Sequence, residues 1–202
     1  MTAGQATPVP DPASAAPRGT RVRAGNAMGR TRSAVAAGTA AAIREHGARK
    51  ATMIDIAAAA SIAKGTLYNH VRTRSEAYQL LAETEVARLV ELLRSEGDPA
   101  RALREAGDFV ANHPVVRSLA DREPAALAVV CLPGPLTASS RALVDAAAER
   151  LVGSAGAPLV VRWLLSLLLE PGDEATRAAQ ATALVATVGR LGSAVYRAPQ
   201  AG

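Results

Sequence analysis

The side chains best equipped for chemistry lie in one short string, Lys64-Gly65-Thr66-Leu67-Tyr68-Asn69-His70, with Arg72 and Arg74 just after it. The string mixes cations, hydrogen-bonding groups and an aromatic ring within eleven residues. Contacts to DNA phosphates and base edges require that mixture. A solvated helix face is also polar, so the surrounding elements must decide. Elsewhere the chemistry is sparse. His46, His70 and His113 sit in separate segments without HxxxH or CxxC spacing, which signals no metal site. The sequence has no P-loop, no dinucleotide fingerprint and no nucleophile elbow. Asp121/Glu123 and Asp173/Glu174 fall at predicted helix ends, where acids suit the helix dipole. The chain reads as a non-enzyme that needs neither cofactor nor metal.

The elements that must position the string are helical. Val35, Thr39, Ala42 and Ile43 share one helix face, and Gly47 suits the C-terminal cap of that helix. Thr52 with Asp55 three residues on resembles a capping box opening a second, short helix, in which Met53, Ile56 and Ala57 form a buried face. A break at Ser61-Ile62-Ala63 precedes the Lys64–His70 string, with Leu67 pointing inward. Thr73 and Glu76 form another capping box, opening a long helix to about Ser95. Residues 52–71 thus read as helix, tight turn, helix, with a supporting helix before them. This is the helix-turn-helix layout, whose second helix enters a major groove.

Composition agrees. Of 202 residues, 47 are alanine and only five are aromatic, and no run alternates with the period of a strand, so an all-α fold is expected. The net charge of +5 is split unevenly: residues 1–74 carry +8 and residues 75–202 carry −3. Such asymmetry suits a polyanion-binding end joined to a near-neutral body, although a basic tail beside an ordinary domain gives the same split. Residues 1–30 are rich in Pro, Ala and Gly, contain Arg18, Arg21, Arg23 and Arg30, and are expected to be disordered. They form either a solvated tail or an arm following the DNA backbone. A single cysteine, a terminus without a signal-peptide core and no long apolar stretch predict a cytoplasmic protein off the membrane.

At this point the chain resembles the TetR-family transcriptional regulators. The residues carrying the resemblance are Gly47, Thr52-Met53, Asp55-Ile56-Ala57 and Lys64-Gly65-Thr66-Leu67-Tyr68-Asn69-His70, correctly spaced within residues 31–81. The resemblance implies that Thr52 offers its hydroxyl or N–H to a phosphate. It implies that Lys64 and Gly65 open the recognition helix and that Gly65 lets the backbone approach DNA. Tyr68, His70 and Arg74 fall at backbone-contacting positions, with Arg74 where the family commonly has Lys. Thr66 and Asn69 are the candidate base readers, unless they are merely an exposed polar face. Three departures stand out. Ser61 occupies the turn position where Gly is usual, Ala63 replaces a capping Ser or Thr, and Val71 replaces the usual Phe.

The expected architecture is an arm over 1–30, a three-helix DNA-binding domain over 31–74 and a larger helical ligand-binding and dimerisation domain over 75–202. Helical patterns cover Pro99–His113, Pro114–Arg122, Pro124–Leu132, Thr137–Gly153, Pro158–Glu170 and Asp173–Arg197. Ala181, Leu184, Val188, Leu191 and Val195 form a heptad-like seam, with the last four as candidate interface residues of a homodimer. Packing within one chain would explain the seam equally simply. Phe109, His113, Arg117, Cys131 and Trp163 are candidate linings of an effector pocket, against plain core or helix-end roles for each. The partners implied are an operator in double-stranded DNA, a small-molecule effector and a second copy of the chain. A ligand-released repressor is the function so implied. An activator, or a helical interaction module without DNA binding, is the alternative.

Overall fold

A computed structural model describes residues 19–95, 97–131 and 135–195, with side chains for all of these but 19–27, 129–131, 135–137 and 189–195. Among the described residues every regular element is a helix: α1 Gly19–His46, α2 Met53–Ala59, α3 Lys64–His70, α4 Arg74–Arg94, α5 Pro99–Ala111, α6 Pro114–Arg122, α7 Pro124–Cys131, α8 Pro135–Val152, α9 Ala157–Leu169 and α10 Glu174–Val195. Proline sits in the first turn of α5, α6 and α9. Its missing N–H costs nothing there and its fixed φ suits a helix start. No helix is long and apolar enough among the described residues to cross a membrane.

The first helix departs from expectation. It begins at Gly19, so residues 19–30 of the expected disordered arm belong to α1. No proline follows Pro17 until Pro99, so nothing in this stretch blocks the helix outright. Residues 1–18 lie outside the described residues.

Two cores organise the molecule. Val35, Ala36, Ile56, Leu67, Val71, Ala77 and Leu80 bury one between α1, α2, α3 and the start of α4. Leu89, Leu93, Leu103, Ala106, Val160, Leu164 and Ala181 belong to the other, between α4, α5, α8, α9 and α10. The boundary expected between residues 74 and 75 therefore falls where a helix shared by both cores begins. A third cluster of Ile43, Leu81 and Val115 joins α1, α4 and α6 at the junction.

Candidate nucleic-acid interface

The α2–α3 unit is built from local signals. Thr52 caps α2: its hydroxyl accepts from the Asp55 N–H at 3.3 Å, and its own N–H donates to Asp55 Oδ2 at 2.8 Å. The hydroxyl also donates to that oxygen at 2.7 Å. These bonds hold the Asp55 carboxyl below its ordinary pKa. Thr52 is exposed, and both groups that it would offer to a phosphate serve the cap in the free chain.

At the other end of α2, the Ser61 N–H donates to the Ala58 carbonyl and the Ile62 N–H to the Ala57 carbonyl, a Schellman closure. Ser61 adopts φ +52, the left-handed conformation that favours glycine. Ala63 then precedes α3 without a side-chain cap. Val71 closes α3 and is buried, so the smaller side chain still plugs the head core.

Helix α3 turns Leu67 inward and exposes Lys64, Gly65, Thr66, Tyr68 and Asn69, with His70 half-buried. Lys64 Nζ lies 5.9 Å from the centroid of the Tyr68 ring. Gly65 is the most informative position. A Cβ built on it would meet nothing within 4 Å, and it lies in the first turn of α3 without a positive φ, so an L side chain would fit there. Nothing in the described chain asks for a glycine there.

Arg74 is placed differently from expectation. Its Nη1 donates to the Arg49 carbonyl at 2.8 Å and the Ala51 carbonyl at 3.3 Å. Tyr78, whose pKa burial raises, donates to the Ala48 carbonyl at 2.6 Å. Arg74 and Tyr78 thus clasp the loop that delivers the chain into α2. The second capping box also differs. Thr73 accepts from the Glu76 N–H, but the Glu76 carboxylate takes the Arg72 N–H instead of that of Thr73.

Three supports escaped the sequence reading. Gly38 of α1 sits against the end of α2, where a Cβ would lie 2.6 Å from the backbone nitrogen of Ala60. Arg122, ending α6, donates to the Arg44 carbonyl at 2.9 Å. Glu123, which follows it, accepts the Arg49 N–H at 3.2 Å and lies where Gly47, at φ +82, would carry a Cβ. Only a glycine set among alanines in the second half of α1 hinted at the first. The other two join residues more than seventy positions apart, which no local pattern encodes.

The five expected pocket residues do not converge. Phe109 and His113 pack edge to face, with centroids 5.6 Å apart, and both line a cavity of about 470 Å³ between α1, α4, α5 and α6. Arg117 instead donates to the Leu167 and Leu168 carbonyls at the end of α9, at 3.2 and 2.6 Å. Trp163 covers Gly107 and donates to Gln180 Oε1 at 2.8 Å. The Cys131 side chain lies outside those described. His113 begins α6 rather than ending α5, and its Nε2 faces Glu85 Oε2 at 3.4 Å. Among the expected interface residues, Val188 is buried within its own chain against Gly156, as the alternative of packing within one chain has it. Leu184 is half-buried on the body core, and the side chains of Leu191 and Val195 lie outside those described.

Comparison with known proteins agrees with this head. Residues 36–76 match the family model of bacterial regulatory proteins of the tetR family. Three solved structures share the fold. The TetR family repressor AlkX from Dietzia sp. strain DQ12-45-1b aligns over 79% of this chain and 95% of its own, at TM-score 0.58 and 18% identity. A transcriptional regulator from Rhodococcus sp. Rha1 aligns over 79% and 94%, at 0.54 and 22%. The fatty acid degradation regulator FadR from Bacillus halodurans aligns over 78% and 94%, at 0.53 and 16%. No protein of curated function matches the chain in sequence.

Proposed function

From a chain that carries the N-terminal domain of the TetR family of DNA-binding transcription regulators, we propose a homodimeric, ligand-released repressor that binds a pseudo-palindromic operator. The observation that carries the DNA contact is the outward face of α3, above all Gly65, whose open space leaves room for a closely approaching backbone. Lys64, Tyr68 and His70 meet phosphates and set the register. Thr66 and Asn69 reach base edges and set sequence preference. Two copies related by a two-fold axis place their α3 helices about one helical turn apart along the duplex. Pro158, Leu159 and Leu169 leave an exposed apolar edge on α9 that supports a dimer built there.

Signal transfer has a physical route. The Arg122 and Glu123 bonds tie the end of α6 to α1 and to the loop before α2. A ligand that binds more tightly to one α6 position than another shifts the spacing of the two α3 helices, and affinity for the operator falls.

The test is a fluorescence-anisotropy titration of labelled duplex DNA at several salt concentrations, with sizing of the free protein. The wild type binds as a dimer with a steep salt dependence. Lys64→Ala lowers the log–log slope by about one, as expected for one lost phosphate contact. A monomer with no measurable duplex binding contradicts the reading and favours an interaction module.

A further inference from the structure

The cavity beside Phe109 extends along one face of α1. Ala36, Ala37, Ala40 and Arg44 line it at helical spacing, and Gly29 and Ser33 continue the same face into a second cavity of about 810 Å³ against α4. Phe109 and Arg88 are walls of both. The result is one groove between the head and the body, and the first cavity alone is within the range of about 300–1,000 Å³ found for ligand pockets.

Its carboxylates are all paired. Glu85 is spanned by Arg88, at 3.0 Å to each carboxylate oxygen, and is faced by His113. Asp108 is held by Arg177 Nε at 2.7 Å. At the far end, Glu83 lies 3.7 Å from Arg32 and Glu91 lies 3.7 Å from Arg94. The exposed Arg44 guanidinium forms no hydrogen bond or ion pair among the described residues, although Glu45 and Asp121 line the cleft on its other side. The His113 Nδ1 is buried without a partner, although the ring lines the same cavity. One end of the groove therefore holds an unmatched cation and an unused hydrogen-bonding nitrogen. The remaining lining is mostly apolar (alanines, Phe109, Leu80, Leu92, Pro114 and Val115), with Ser33, Thr84 and Asn112 among it.

We propose that this groove is the effector site and that it takes a small amphipathic carboxylate, its head at Arg44 and His113 and its apolar chain along Phe109 and α1. The proposal rests on the reading of the protein as a ligand-controlled DNA binder and names the site and class of that ligand. Such a ligand lies between α1 and α4, so it acts directly on the angle between head and body.

Sodium octanoate is the probe, with 1-octanol as its uncharged match, titrated by calorimetry into the full chain. Octanoate binds saturably, and octanol at least about tenfold more weakly, as a lost charge-assisted contact implies. Arg44→Gln weakens octanoate about tenfold and leaves octanol unchanged. Ala37→Phe, on an exposed position of α1, fills the groove and removes binding of both. Its duplex binding without octanoate stays at the wild-type level. No saturable octanoate binding, equal binding of octanol, or octanoate binding undiminished in both variants overturns the proposal. Loss of duplex binding by the untreated wild type, with octanoate still bound, overturns the DNA-binding reading and leaves the groove assignment intact.

Discussion

Two glycines in the head face opposite demands. Gly38 is required from inside, because a Cβ would press on the backbone of Ala60 and neither helix has a flexible atom there to yield. Gly38→Ala gains about 1 kcal/mol of helix propensity but overpacks a rigid contact, a cost of about 1–3 kcal/mol, so the strain wins. Thermal unfolding should show a lower melting temperature, and an unchanged or higher one would refute the tight crossing. Nothing within the chain requires Gly65. If the proposed DNA contact holds, Gly65→Ala should leave the free protein at least as stable and still weaken DNA binding by tenfold or more, because a methyl group would enter the space proposed for the DNA backbone. Melting and anisotropy on the same preparation check both halves. Undiminished DNA affinity in this variant would remove α3 from the interface.

Among the elements, α6 does the connecting. One end takes the carbonyls of α9 through Arg117, and the other grips α1 and the following loop through Arg122 and Glu123. Glu123→Ala should therefore speed hydrogen exchange at the Arg49 amide, while the Asp55 amide, held by Thr52, keeps its protection. Equal exchange at Arg49 in both proteins would show that the clamp does not hold the loop. Element boundaries were legible where one residue forces them. Pro99, Pro114, Pro124 and the Thr52–Asp55 pair marked helix starts to within a residue or two. The N-terminal extent of α1 was not legible, since its Arg/Ala/Gly stretch suits a tail as well as a helix. The α6 clamp was illegible for a different reason: its partners are carbonyls, which every residue carries. The recognition string was legible as a polar face, but the bonds of Arg74 to the Arg49 and Ala51 carbonyls depended on neighbours brought close only by folding.

For the whole molecule, the uneven charge now has a structural setting. Lys64 and Arg72 lie exposed on or beside α3, at the far end of α4 from the near-neutral body. The long α4 shares both cores, so the head cannot move without disturbing the body. Dimerisation and operator symmetry are properties of two such chains and need a test at that scale. The most direct is selection of bound DNA from a random duplex pool by the full chain. Enrichment of an inverted repeat with half-sites about one helical turn apart is the result predicted for a dimer of this head. A pool that stays random, or a single unpaired half-site, would contradict it.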